Sequence, residues 1–99
     1  MSCNRAQLCG RLEARGALRF SPAGVALVEF TIAHRSEQKE AEVRRTVNAR
    51  MPAIAAADMA QKIAQLALGT QVKASGFLAP AGRSNAAFVL HVLNIELIE

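Results

Sequence analysis

The sequence predicts an all-β fold: a five-stranded antiparallel barrel with one short helix between the third and fourth strands. Several segments alternate apolar and polar side chains with a period of two, as half-buried strands do, and turn residues such as Pro and Gly separate them. One segment, residues 58–68, changes to helical spacing. Because 99 residues is the usual size of one small domain, we expect a single domain over residues 1–99.

The first half of the chain contains three predicted strands. Residues 4–12 form the first, and a short extended piece at residues 18–20 leads into a turn at residues 21–24, where Pro and Gly stand at positions that a type I turn favours. Residues 25–34 form the second strand, with Val28, Phe30 and Ile32 on one parity. We expect the polar residues 35–42 to be an exposed, mobile hairpin loop. Residues 43–51 form the third strand, which Pro52 ends because proline lacks the ladder N–H.

The second half begins with the predicted helix, in which Met59, Ile63 and Leu66 recur at helical spacing. Asp58 and Gln61 resemble a capping box, and Gly69 fits a left-handed helix stop. We expect the apolar stripe to close one end of the barrel. Residues 70–78 form the fourth strand, residues 79–86 a flexible hairpin tip, and residues 87–98 the closing strand. Five strands with a helix after the third are the oligonucleotide/oligosaccharide-binding arrangement, or OB-fold.

Charge and composition narrow the function. The net charge is +4, and all of it lies in residues 1–50, which favours a polyanionic partner. No apolar run is long enough to span a bilayer and no secretory signal is visible, so we expect a cytoplasmic protein with no membrane contact. Cys3 and Cys9 lie about 20 Å apart along a strand, too far for a disulfide. We interpret them as free thiols, and we expect no metal site and no cofactor.

The residues also resemble a known family. The opening is similar to bacterial single-stranded-DNA-binding proteins in LCGRL at residues 8–12, LRFSPAGV at residues 18–25 and FTIA at residues 30–33. A closer resemblance, to the primosomal replication protein N family of that superfamily, continues through HRSEQKEA at residues 34–41, MPAI at 51–54, GF at 76–77, VLH at 89–91 and IELI at 95–98. The ordered combination covers nearly the whole chain.

This resemblance implies a homodimer of two barrels that holds single-stranded DNA during replication restart and contacts the restart helicase and other primosome proteins. Family positions that contact DNA correspond here to Arg19, Arg35, Arg45, Asn48 and Arg83. Spacing and charge add four auxiliary candidates, Arg15, Lys39, Arg44 and Arg50. Arginine suits this role because its planar fork pairs with phosphate oxygens and stacks on bases. For any one of these residues an ordinary solvated side chain is equally consistent, but as a set they favour DNA contact.

Two departures from well-known family members weaken the predicted affinity. Asn48 and Val43 stand where aromatic residues occur in those members, and the last hairpin loop keeps a single cation, Arg83. The chain has no Trp or Tyr, and we expect its four Phe side chains to lie in the core. Since base stacking contributes roughly 1 to 3 kcal/mol per base, we expect weak to moderate, salt-sensitive and sequence-tolerant binding.

Three other classes of function are an enzyme, a protein–protein adaptor and an RNA-binding protein. No nucleophile, base or metal motif is visible and the two histidines are far apart in sequence, so we do not expect an enzyme. The main alternative is a dimeric protein–protein adaptor of the primosome with weak nucleic-acid binding, which the missing aromatics favour. An RNA-binding barrel also stays open, because electrostatics does not separate RNA from DNA.

Overall fold

The computed structural model describes residues 2–82 and 87–98, and in these residues the chain forms six strands and one helix. In chain order the elements are β1 (Ala6–Arg15), β2 (Arg19–Phe20), β3 (Ala26–Glu40), β4 (Val43–Ala56), α1 (Asp58–Ala64), β5 (Gln71–Pro80) and β6 (Phe88–Leu97). The predicted turn before β3 is confirmed, since the Gly24 N–H donates to the Ser21 carbonyl at 2.8 Å.

Five of the strands close into a barrel in the order β1-β5-β6-β4-β3, with β3 pairing back onto β1, and β2 adds to the outer edge of β3. The predicted barrel is therefore confirmed. One pairing differs from the all-antiparallel expectation, because β4 and β6 run parallel where Ala53 meets Leu90. An odd number of strands cannot alternate direction all the way round a closed ring, so a five-stranded barrel needs at least one parallel pair.

The core lies inside this barrel and under the helix. Alternate residues of β3, Val28, Phe30 and Ile32, are at most 4% exposed, as their shared parity predicted. Ala60 and Ile63 of α1 are fully buried, and the helix packs against β3 and β4. The expected role of the helix, covering one end of the barrel with its apolar side chains, is confirmed.

Strand β1 closes the barrel because it changes partner along its length. Residues 6–11 pair with β5, and residues 11–15 pair with β3. The change requires β1 to approach β3 closely at Gly10, where a Cβ atom would lie 2.4 Å from the Ala33 carbonyl oxygen. Only a glycine fits such a backbone contact without movement of one strand.

The largest correction concerns residues 35–42, which are not a loop. Strands β3 and β4 stay paired from Leu27 and Ala56 out to Glu40 and Val43, and they are joined by a two-residue turn. Ala41 and Glu42 both have positive φ, 51° and 66°, as a tight hairpin with the twist of the strands requires. Backbone ladder bonds hold this projection although it has no apolar face. We call residues 34–49 the arm.

Three local predictions at the end of β4 and around α1 are also wrong. Pro52 does not end its strand. Among the described residues β6 pairs with β4 at Ala53 and Ile54 alone, so one edge of β4 is open at Pro52, and proline is tolerated at such a position. Asp58 forms no capping box, since Ala57 is the N-cap and the helix start has no side-chain cap bond. The helix ends at Ala64, and Gly69, at φ 90°, lies in the following turn.

Candidate nucleic-acid interface

The β3–β4 register sorts the candidate residues by face. Directly paired residues of antiparallel strands place their side chains on the same side of the sheet. Arg35 pairs with Asn48 and Lys39 pairs with Arg44, and all four lie on the face opposite to the core residues of β3. Arg45 pairs with Gln38 and lies on the other face of the arm.

Strand β1 contributes a further cation to this face, one that the sequence analysis did not single out. Arg11 pairs with Ala33, and Ala33 pairs with Arg50, so two guanidinium groups flank one small side chain across three strands. Arg19 of β2 lies on the same face, beside Glu29. We call this surface the outer basic face; its members are Arg11, Arg19, Arg35, Lys39, Arg44, Asn48 and Arg50.

The outer basic face follows β3 over most of its length. Arg19 pairs with Leu27, and Arg44 pairs with Lys39. At about 3.3 Å per residue, the distance along β3 from Leu27 to Lys39 is roughly 40 Å. The cations therefore form an extended stripe that can follow the backbone of a polyanion.

Three of the six cations on this face are paired with carboxylates in exposed, loose ion pairs. The N–O distance is 3.6 Å between Arg19 and Glu29, 3.9 Å between Arg35 and Glu37, and 3.5 Å between Lys39 and Glu42. Exposed pairs of this kind contribute roughly 0 to 1 kcal/mol, so an incoming phosphate can replace them. Within residues 2–82 and 87–98, Arg44 has no ion-pair partner.

The centre of the face contains a tighter cluster. Glu13 accepts a hydrogen bond from Arg50 Nε at 2.6 Å and one from Arg11 Nη2 at 3.2 Å. The hydrogen bond from Arg50 holds the pKa of the Glu13 carboxyl below its ordinary value, and Glu13 in turn raises the pKa of Arg50. These residues line an open cavity of about 470 Å³ together with Arg35 and Asn48.

Two predicted contact residues lie off the outer basic face. Arg45 pairs with Glu40 at 3.1 Å on the opposite face of the arm. The Arg15 side chain is half-buried and lines a groove on the outer surface of the barrel. Its guanidinium donates to the carbonyls of Ile63 in α1 and Leu66 just after it, so these contacts are structural. Arg83 lies outside the described residues.

The groove lined in part by Arg15 has a volume of about 670 Å³ and lies on the outer surface of the barrel. Its floor includes Glu29 and Thr31 of β3 and Pro52 of β4, while Pro80 and Val89 of the β5–β6 hairpin form a wall. It lies where the outer surface of the central strands meets a hairpin loop, the region in which OB-folds bind oligonucleotides.

The prediction that all four Phe residues belong to the core is wrong for two of them. Phe30 is 4% exposed, but Phe20 and Phe88 are 62% and 55% exposed. Phe20 lies on the short edge strand β2, and Phe88 is the first residue of β6. Phe77 is partly buried and stacks on His91, with ring centroids 4.7 Å apart. Exposed aromatic rings are therefore present, although the third-strand position carries Asn48.

Cys3 and Cys9 are free thiols, as predicted, and both are exposed. In the part of the chain that the structure describes, no group of three or more His, Cys, Asp or Glu side chains is placed to hold a metal ion. No helix in that part is both long and apolar enough to cross a membrane.

A closed five-stranded barrel with this strand order is the OB-fold, and known proteins support that class. A crystal structure of a single-stranded DNA binding protein from Thermus aquaticus, a deletion mutant, superposes with a TM-score of 0.78 at 20% identity, covering 98% of this chain and 51% of that one. At that identity the likeness concerns the fold alone.

Closer similarities define the family. The family described as "Another single-strand binding protein family" matches residues 4–94. Replication restart protein PriB from Nitrosomonas europaea is 35% identical over 99 residues, which cover 98% of this chain and 92% of that protein. PriB from Ralstonia solanacearum has a TM-score of 0.89 at 33% identity, covering 99% of this chain and all of that one. The chain therefore belongs to the PriB family of single-strand binding proteins.

Proposed function

We propose that this protein binds single-stranded DNA on its outer basic face and acts in replication restart. The observation that carries the proposal is the register of β1, β3 and β4, which gathers cations from separate strands along one side of the sheet. The names of the relatives, single-strand binding protein and replication restart protein PriB, support the same role. A replication protein works beside the chromosome, in the bacterial cytoplasm.

The charge balance of the face sets the expected salt dependence. Six cations share it with the carboxylates of Glu13, Glu29 and Glu37 and with that of Glu42, which pairs with Lys39, so the net charge is +2. For single strands the binding constant falls with a logarithmic salt slope of about 0.7 per neutralised phosphate. We therefore expect a slope between about 1.4, when the carboxylates stay in place, and about 4, when phosphates displace them.

A mostly electrostatic interface implies binding that tolerates any base sequence. Guanidinium groups contact phosphates and also lie flat on bases, so the arginines of the face can bind any base. The side chains of the face have no fixed pattern of buried donors and acceptors that would read base edges. We propose binding without catalysis, with no metal and no cofactor.

Fluorescence anisotropy with labelled oligo-dT, repeated from low to moderate salt, tests the proposal. The expected result is binding at low salt with a slope between about 1.4 and 4. Oligo-U and a duplex of equal length are the comparison ligands, because they separate DNA from RNA and single from double strands. Absence of oligo-dT binding at low salt contradicts the proposed function.

We further propose that the protein is a homodimer that contacts the restart helicase. Two large apolar side chains in the second half of β6, Leu93 and Leu97, are 66% and 60% exposed, and burial against another protein would remove this area from water. Sedimentation with and without a 15- to 30-base oligonucleotide reports subunit number and complex formation together. A monomer at micromolar concentration in both samples contradicts the homodimer.

A second candidate is a primosome adaptor whose DNA affinity has no role. The absence of Trp and Tyr from the chain favours it. The double variant Arg35→Glu/Arg50→Glu separates the two functions, because both residues lie on the outer basic face. An adaptor keeps full restart activity and helicase binding in this variant, whereas a DNA-holding protein loses oligonucleotide binding and restart activity while helicase binding persists.

A further inference from the structure

Glu13 occupies an unusual place at the centre of the outer basic face. It lies in β1 where the register with β3 shifts between Leu12 and Ala14, and such a bulge re-aims a side chain relative to a regular strand. The Glu13 side chain is 25% exposed, while those of its partners Arg50 and Arg11 are 73% and 53% exposed. The carboxylate thus lies beneath two guanidinium groups that reach into solvent.

The contacts of Glu13 differ from those of the other carboxylates on the face. Glu29 and Glu37 each pair with one cation, at 3.6 Å and 3.9 Å. Glu13 receives hydrogen bonds from two arginines, one on β1 and one on β4, at 3.2 Å and 2.6 Å. Ala33, which separates those arginines on β3, has a small side chain that leaves the space between them open.

Two guanidinium groups around one carboxylate also form a site for a phosphate. Both anions present oxygens to the arginine fork, and charge-assisted bonds of this geometry are among the stronger ones in proteins. A phosphodiester that binds here therefore has to displace the Glu13 carboxylate from its partners. Because the hydrogen bond from Arg50 lowers its pKa, Glu13 is ionised at neutral pH and competes as a full charge.

We propose that Glu13 is an internal competitor for nucleic-acid phosphate: its carboxylate holds Arg11 and Arg50 in the free protein and so limits the affinity of the outer basic face for single strands. This inference rests on the proposed function and adds a regulatory residue to the same surface. It predicts that the protein releases single strands more readily than its arginine content implies, because Glu13 recovers both partners when a phosphate leaves.

The same contacts are also consistent with a second role, in which Glu13 orients the arginines for DNA and so promotes binding. The two roles predict opposite changes in DNA affinity when Glu13 is removed. If Glu13 competes, its removal strengthens binding and steepens the salt dependence, because two more cations neutralise phosphates. If Glu13 orients Arg11 and Arg50, its removal weakens binding.

The test compares Glu13→Gln with Glu37→Gln in oligo-dT anisotropy titrations at several salt concentrations. Both substitutions remove one negative charge from the same face, but Glu37 pairs with one arginine at 3.9 Å. For Glu13→Gln we expect the affinity near 0.1 M salt to rise about 3- to 10-fold and the salt slope to steepen by about 0.7 to 1.4. For Glu37→Gln we expect a rise of less than about twofold.

A double variant shows whether the effect passes through the arginines. In an Arg50→Ala background we expect Glu13→Gln to strengthen binding by less than half as much, because one of its two partners is already absent. If Glu13→Gln does not fold, Glu13→Asp is the substitute, since the shorter side chain cannot keep both contacts and should also tighten binding.

The outcomes separate this inference from the function on which it rests. If the wild type binds oligo-dT and Glu13→Gln binds no more tightly than Glu37→Gln, the competitor role is refuted while the proposed function stands. If neither the wild type nor Glu13→Gln binds at low salt, both are refuted. Tighter binding by Glu13→Gln with a steeper salt slope supports the inference.

Discussion

The contacts of Arg15 in the structure predict a role in the stability of the fold, although its charge and spacing in the sequence predict a DNA contact. Its guanidinium donates to the carbonyls of Ile63 and Leu66, which belong to the end of α1 and the turn after it. The Ile63 carbonyl also accepts from the Leu66 backbone N–H at 3.1 Å, so Arg15 is an additional donor there. At Leu66, just beyond the helix end, Arg15 supplies a donor that the helix itself does not. It also links β1 to the helix that covers the barrel core.

The expected cost of Arg15→Ala follows from these two bonds. A hydrogen bond to a charged group contributes roughly 1.5 to 3 kcal/mol. Because the two bonds share one half-buried side chain, their effects do not add fully. We expect Arg15→Ala to lower the free energy of unfolding by about 2 kcal/mol, and the melting temperature by roughly 8 to 16 °C for a domain of this size.

Urea denaturation and oligo-dT anisotropy, measured at one fixed protein concentration, check this prediction. The matched control is Arg44→Ala, because Arg44 is exposed and has no ion-pair partner in the described chain. We expect Arg15→Ala to lose stability with less than a twofold change in affinity, and Arg44→Ala to show the reverse. If Arg15→Ala is as stable as Arg44→Ala and loses DNA binding, the structural role of Arg15 is refuted.

Two further predictions concern the barrel and the acidic residue on its face. Gly76→Ala should lower the free energy of unfolding by at least about 2 kcal/mol, because the added methyl carbon would lie 1.8 Å from the His91 carbonyl oxygen. The control is Gly16→Ala, in which the added carbon's nearest neighbour lies at 3.5 Å. Equal thermal stability of the two variants would contradict this prediction. The pKa of Glu13 is lowered from 4.5, so its pairing persists above that pH and is lost as the pH falls through the lowered value. The ratio of the oligo-dT affinity of Glu13→Gln to that of the wild type should therefore stay constant from about pH 8 to pH 5 and approach one only at lower pH. A ratio that changes above pH 5 would contradict the lowered pKa of Glu13. The charged or titratable groups around that carboxyl are Arg11, His34, Arg35 and Arg50.

Much of the barrel was predictable because buried strands carry a strong pattern. The alternation of Val28, Phe30 and Ile32 identified the core face of β3, and the change of period identified the helix. The arm was missed for a physical reason. Both of its faces meet water, so no apolar alternation marks residues 35–42, and backbone bonds between β3 and β4 hold it instead.

The candidate site was partly predictable from parity alone. In the third strand, Arg44 and Arg50 share a parity with Asn48, whereas Arg45 shares the parity of Val43 and is on the opposite face. The alternation along the strand therefore separates Arg45 from Arg44 and Arg50 in the sequence itself.

The cluster of Arg11, Glu13 and Arg50 was not accessible to pattern analysis. Arg11 lies on the polar parity of the first strand, which the alternation did indicate. Its position next to Arg50 depends on the pairing of β1 with β3, and the aim of Glu13 depends on the bulge in β1. Both are properties of the closed barrel, which brings together residues 37 positions apart.

The most direct test of the outer basic face uses two neighbouring residues of one strand. Arg44→Glu and Arg45→Glu change the net charge equally, both side chains are exposed, and they lie on opposite faces of the arm. One phosphate contact contributes about fivefold at 0.1 M salt, and charge reversal adds repulsion. We expect Arg44→Glu to weaken oligo-dT binding by about tenfold and Arg45→Glu to change it by less than about twofold. Equal losses, or a larger loss for Arg45→Glu, would contradict the assignment of DNA binding to the outer basic face.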